Sequence, residues 1–334
     1  MLKRMLLLSL VFYGCGANTS HSSLKEAMNW LNTPGNLPGA DGPLKLLIDT
    51  LPDKGGVAIP VWQGYWYPSS QNGTARKPNM YTLSPMEKYD QAVDDPDEKA
   101  TNWEIEDSKQ YKGVGWAGHC NGLAAASTMV KEPKHAVTYN GVSFTVDDIK
   151  ALLIELWQKG GTTVGGRCNN KEITYDSNGR IVEDECRDLN PATFHILTTN
   201  FLGLFQKPVI VDIDPSEAVW NYPIVSYEVK YKQKATVRDV TYWLFNETKD
   251  TYVYNPSAVS FEYVQTEILL STNNKKIYEY ILELDANGNI IGGEWYRNSK
   301  SDHPDFMWRH TTPTPANPYI NIDVVNAIYQ SSLN

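Results

Sequence analysis

The sequence predicts an α+β fold, with helices in its first part, an antiparallel β-sheet in its second half and a nucleophile at a helix N-terminus. Three observations support this. A Gly-rich turn at 113–118 runs into Cys120 and an Ala-rich stretch with helix propensity. Ile149, Leu152, Leu153, Leu156 and Trp157 recur at helical spacing. From Val209 onward, short runs rich in Tyr, Val and Ile alternate with turn residues, and helices followed by strands is an α+β plan.

In chain order, Lys3 and Arg4 precede an apolar run from Met5 to Phe12, and small residues follow at Gly14, Gly16 and Ala17. That is the outline of a secretory signal peptide over residues 1–17. Cys15 follows Gly14, which fits a lipobox, but Phe12 stands where Leu is usual. Cleavage near Ala17 and lipidation at Cys15, with the signal then ending at 14, both stay open. No later stretch is apolar for long enough to span a bilayer. The expected location is outside the cytoplasm: secreted, periplasmic or lipid-anchored at the cell envelope.

Residues 21–99 read as an irregular N-terminal portion packed on the core. A short helical pattern covers 23–31, and the acidic run at 94–98 reads as a solvated loop. A helix from Cys120 ends before Pro133. A second starts with Thr145 or Ser143 as cap, carries Asp147 and Asp148 in its first turn, and ends at Gly160-Gly161. Residues 175–180 form a hairpin signal centred on Asn178-Gly179. A third helix starts at Asp188 or Asn190 with Pro191 as its first residue, and carries His195. Strands are expected at 209–214, 224–233, 237–246, 261–271, 276–284 and 290–295. The catalytic part is drawn at 100–310 and a C-terminal tail at 311–334.

The 334 residues are 41% hydrophobic, enough for a sizeable core. Net charge is -9 without a Lys/Arg cluster, which argues against nucleic acid as a partner. Cys168 and Cys186 lie in a polar stretch and form an expected disulfide, worth about 3 kcal/mol in the chain-entropy model. That leaves Cys120 as an unpaired thiol in an exported chain.

A thiol at a helix N-terminus feels the positive end of the helix dipole, and the unpaired N–H groups of the first turn can hold an oxyanion. Such a nucleophile calls for an imidazole, itself oriented by a carboxylate or amide. His119 adjoins Cys120 and should point away from it. His195, with Asp212 and Asp214 on the strand after it, and His303, in Asp302-His303-Pro304-Asp305, remain candidates.

Four segments together resemble the transglutaminase elicitor family. They are Gly118-His119-Cys120-Asn121-Gly122, Asp188-Leu189-Asn190-Pro191-Ala192-Thr193-Phe194-His195, Val219-Trp220-Asn221-Tyr222-Pro223-Ile224, and Gly292-Gly293-Glu294-Trp295 with His303 to Trp308. Tyr222, Val225 and Ser226 depart from the elicitor peptide of oomycete members. The resemblance implies a papain/transglutaminase-like core and protein-glutamine γ-glutamyl transfer. Cys120, His195 and Asp212 would be the catalytic residues, with Trp116 and Trp220 at the oxyanion or substrate. His303 and Asp214 are the alternatives for base and orienter. The implied partners are a protein or peptide glutamine donor and a primary amine, lysine or polyamine. Membrane contact would come only through a lipid at Cys15.

No cofactor is required by these residues. Some relatives admit calcium, and Asp176-x-Asn178-Gly179 and Asp285-x-Asn287-Gly288 are fragments of a calcium loop, but hairpin turns account for both. No zinc spacing appears, so no metal ligand is expected. A cysteine peptidase or glutamine deamidase on the same fold, and a non-catalytic surface binding protein, are the competing functions.

Overall fold

The computed structural model describes residues 37–334, apart from 168–171, 176, 178–180, 184–185 and 187. The expected leader, Cys15, the expected helix at 23–31, Cys168 and the expected Asn178-Gly179 turn lie outside the described residues. Among those described, no helix is long and apolar enough to cross a membrane.

A short strand, β1 (Lys54–Gly56), comes first. Two helices follow, α1 (Pro85–Ala92), inside the stretch expected to be irregular, and α2 (Lys99–Lys109), which opens the part drawn as catalytic. The local chemistry of α1 is plain in retrospect. The Ser84 hydroxyl accepts from the Glu87 N–H, the Glu87 carboxylate accepts from the Ser84 N–H, and Pro85 opens the helix. The acidic run is the turn between the two helices, with Asp94 and Glu98 at φ 56° and 49°.

Helix α3 (Cys120–Met129) starts at the expected cysteine. Its buried alanines, Ala124 to Ala126, let it lie close to α4 (Val146–Leu156). Gly122 is needed for that approach, because a Cβ there would sit 2.4 Å from the Ile154 carbonyl oxygen. The hairpin of β2 (Val137–Tyr139) and β3 (Val142–Phe144) joins the two helices. Thr145 and Asp148 form a capping box at the start of α4. Ile149, Leu152, Leu153 and Leu156 are buried along one stripe, each stabilising by about 1.5–3 kcal/mol.

The remaining elements are β4 (Thr162–Gly165), α5 (Pro191–Thr198) with a π-helical turn at Thr199–Leu204, β5 (Val209–Asp212), β6 (Asn221–Ala235), α6 (Val237–Phe245), β7 (Ser260–Leu270), β8 (Lys275–Leu284), β9 (Ile290–Trp295), β10 (Phe306–Arg309) and α7 (Ile322–Ser331). The strands form one antiparallel sheet in the order β4-β10-β5-β6-β7-β8-β9, with β1 also on β6. Residues 237–246, expected as a strand, are α6 instead. Thr236 and Asp239 form a capping box there, and Val237, Val240, Thr241 and Leu244 follow helical spacing. The β-branched and aromatic composition favoured strand, but the local cap and tertiary packing favour helix. The expected C-terminal tail contains α7, whose Val325 and Ile328 are buried in the same cluster as the α4 stripe.

The two faces of the sheet determine which residues can meet. Asp212 is paired with Phe306 and with Asn221, and Ile210 with Trp308. Cross-strand partners share a face, and Ile210, Phe306 and Trp308 pack with α3 and α4. The alternate residues Val209, Val211, Ile224 and Met307 pack with Phe194, Ile196 and Leu197 of α5. The nucleophile helix and α5 therefore lie on opposite faces of the sheet.

Candidate active site

Cys120 is the first residue of α3, with His119 as its N-cap. Backbone bonds hold the approach: the His119 N–H donates to the Trp66 carbonyl at 2.9 Å, and the Leu123 N–H to the His119 carbonyl. Gly118 passes so close to Trp66 that a Cβ would meet the indole at 2.7 Å. Among the described residues Cys120 is the free cysteine. Cys186 is buried, and its expected partner lies outside the described residues.

The thiol of Cys120 donates to the Val219 carbonyl oxygen at 3.7 Å and receives the Asn221 side-chain N–H at 3.8 Å. Burial pushes the thiol above its ordinary value, and the Asn221 donor opposes that. The Asn221 amide is itself oriented. Its Oδ1 accepts from the Trp308 indole N–H at 2.7 Å. An indole N–H can only donate, so the carboxamide oxygen faces Trp308 and the NH2 faces the sulfur.

Trp308→Phe removes this constraint. If the thiol performs the acyl transfer that the resemblance implies, the expected result is a roughly tenfold fall in kcat with KM little changed, read from steady-state ammonia release.

Asp212 lies beside Asn221 on the same sheet face and is fully buried. Its Oδ1 accepts from the Trp220 N–H at 2.8 Å and the Asp214 N–H at 3.4 Å, which fixes the β5–β6 turn. Its Oδ2 has no hydrogen-bond partner among the described residues. Burial raises its pKa to about 7. Its charge also reaches the Cys120 thiol, which it raises.

The expected histidine is elsewhere. His195 lies on α5, behind the sheet, and its Nδ1 pairs with the Tyr280 hydroxyl at 2.8 Å. Tyr280 in turn bonds Thr266. Burial lowers the pKa of His195 to about 3, so the imidazole stays neutral. This corrects the grouping of Cys120, His195 and Asp212: the structure brings the thiol and the carboxylate to one face and leaves the imidazole in the core on the other. Sequence position on a helix does not reveal which sheet face that helix covers.

His303 does not replace it. Its Nδ1 pairs with the Ser299 carbonyl at 2.8 Å and its Nε2 with Asp188 at 3.1 Å, and its ring stacks on Trp295. Trp295 belongs to the core on the α5 side. Asp214 caps its own turn through the Ser216 N–H.

If the chain performs the acyl transfer that the resemblance implies, His195→Gln is expected to leave ammonia release within about threefold of wild type. It should lower stability by about 1–3 kcal/mol through the disturbed pair with Tyr280, measured by denaturant melts.

Of the two tryptophans assigned to the oxyanion or substrate, Trp220 packs edge-on against Trp66 at 5.5 Å, and its backbone N–H serves Asp212. Trp116 lies under the Arg167 guanidinium at 5.9 Å. A surface depression beside Trp220 is lined by Asp214, Tyr222, Lys276 and Asp302. The sequence reasoning missed Asn221 and Trp308 as site residues, although both stand inside segments it singled out.

A family model described as transglutaminase elicitor matches residues 97–328. Among solved structures, the crystal structure of the GP42 transglutaminase from Phytophthora sojae is similar, with a TM-score of 0.72 and 21% identity. The match covers 94% of this chain and 99% of that one, and at this identity it shows the fold. No curated protein matches.

Proposed function

Because this chain belongs to the transglutaminase elicitor family, we propose that it is a protein-glutamine γ-glutamyltransferase working through a thioester on Cys120. One observation carries this reading most strongly: Trp308 orients the Asn221 amide toward a free thiol at a helix N-terminus. The thiol attacks a glutamine carboxamide. The developing oxyanion is held by the unpaired N–H groups at the start of α3 and by Asn221 Nδ2.

Asp212 carries the proton. Its Oδ2, which contacts no donor directly, would take the thiol proton through one bridging water on attack and return it the same way to the departing nitrogen, so ammonia leaves and the thioester remains. A primary amine then attacks the thioester, its proton returns by way of Asp212 to sulfur, and an isopeptide or alkylamide bond is released. Asp214 on the nearby depression suits an incoming ammonium, lysine or polyamine. With water as acceptor the same thioester gives deamidation. Export of the chain and tethering at Cys15 belong to the same proposal and rest on the leader sequence alone. No cofactor enters these steps.

The test uses a glutamine-bearing protein such as casein with a labelled primary amine, recording label and ammonia together. Labelled casein with matching ammonia supports transamidation, and ammonia without label supports deamidation. Cleaved casein with neither supports the peptidase reading, and complete inertness both with and without calcium overturns the acyl-transfer reading in favour of a binding protein.

A further inference from the structure

We propose that Glu104, His119 and Glu155 form a buried site for one divalent transition-metal ion, ligated by His119 Nε2 and the two carboxylates. The three residues come from α2, the N-cap of α3, and α4. All three are buried. His119 Nε2 lies 3.1 Å from Glu104 Oε1 and 2.8 Å from Glu155 Oε1, and candidate ligand atoms of the three residues lie within 4.8 Å of one another. Metal bonds of about 2.0–2.2 Å to nitrogen and carboxylate oxygen leave neighbouring ligand atoms roughly 3 Å apart, so the cluster needs little rearrangement to close on an ion.

The surroundings fit a ligand set. His119 Nδ1 lies 3.0 Å from the Tyr67 carbonyl oxygen. A carbonyl can only accept, so Nδ1 carries a proton, and Nε2 is the nitrogen a metal would take by displacing the proton shared with the carboxylates. Thr74 supports both carboxylates, its hydroxyl donating to Glu155 Oε1 at 2.8 Å and its N–H to Glu104 Oε1 at 3.3 Å.

Two oxygens remain. Glu104 Oε2 and Glu155 Oε2 are buried and have no partner among the described residues. A buried carboxylate oxygen without a donor is costly. Gly73, at φ 53°, lets the chain close over the cluster, since a Cβ there would overlap Glu104 Oε1 at 1.8 Å.

Charge balance points the same way. Without an ion, Nε2 lies within hydrogen-bond distance of both carboxylates, which hold a proton on it; a divalent cation would displace that proton and neutralise the two carboxylates in its place. One imidazole nitrogen with carboxylate oxygens and no thiolate suits Zn2+, Mn2+ or Co2+ and not Ca2+, which takes six to eight oxygens. The ion would pin three helices together one residue before Cys120. The inference is independent of the acyl-transfer reading.

The experiment uses the full, tag-free chain stripped with chelator and then titrated with Zn2+ alone by calorimetry, with melting temperature in parallel. One equivalent should bind and the melting temperature should rise by several degrees. Cys120→Ser should bind as tightly, while Glu104→Gln and Glu155→Gln should bind at least about 100-fold more weakly. Co2+ in the wild type should give visible d–d bands without a thiolate charge-transfer band, which decides the ligand set even if a Gln variant fails to fold. Absence of binding by the stripped wild type, binding lost in Cys120→Ser but kept in the Gln variants, or a thiolate band would each overturn the proposal.

Discussion

Cys120→Ala is expected to lower ammonia release from a glutamine-bearing protein at least about 1,000-fold, because it removes the nucleophile and leaves only binding and oxyanion contacts. The fold should survive. Cys120 makes two weak sulfur contacts at 3.7 and 3.8 Å, and alanine favours helix at that position. The melting temperature should therefore move by no more than a few degrees. Ammonia release persisting in this variant would move the chemistry to a group other than the thiol.

Asp212→Asn carries the second large effect. Asparagine retains an Oδ1 that can accept from Trp220 and Asp214, so the β5–β6 turn is kept. It cannot take the thiol proton, and kcat/KM should fall about 10²–10⁴-fold. A purely structural role would not reproduce the accompanying signs. Asp212 raises the Cys120 thiol through its charge, so the Asn variant should be alkylated faster at a fixed mildly alkaline pH while it transfers acyl groups more slowly.

Stability follows its own sign. The folded-state pKa of Asp212 is about 7, raised by burial, against roughly 3.9 for an unfolded aspartate. The stabilising protonation is complete below about pH 4 and is lost as pH rises through about 7. Asparagine never pays this charge burial, so the melting temperature of the variant should gain on wild type steadily across that window. Wild-type activity should rise over the same window as Asp212 ionises.

Much of this arrangement was legible because its signals are local. The start of α3 at Cys120 is written in a glycine-rich turn followed by alanines, and the start of α4 in Thr145 and Asp148. What failed was either outweighed or non-local. The capping boxes at Ser84 and Thr236 are present in the sequence, but many turn-forming residues in one case and β-branched and aromatic composition in the other favour different assignments.

His195 was expected at the site because helix, loop and strand are close in sequence. Only the parity of β5, with Asp212 on one face and Val211 on the other, shows that α5 packs behind the sheet. Asn221 and Trp308 meet across two strands, and Glu104, His119 and Glu155 come from three helical segments. No spacing rule within one segment could find either group.

The central claim is a thioester on Cys120, and trapping it tests that claim most directly. The protein is mixed with a glutamine-bearing peptide without an amine acceptor, quenched in acid and examined by intact mass and peptide mapping. The account predicts an adduct equal to the peptide less ammonia, on Cys120 in wild type and in His195→Gln, and much reduced in Asp212→Asn. An adduct on another residue, or ammonia released with no adduct at any quench time and undiminished in Cys120→Ala, would contradict it.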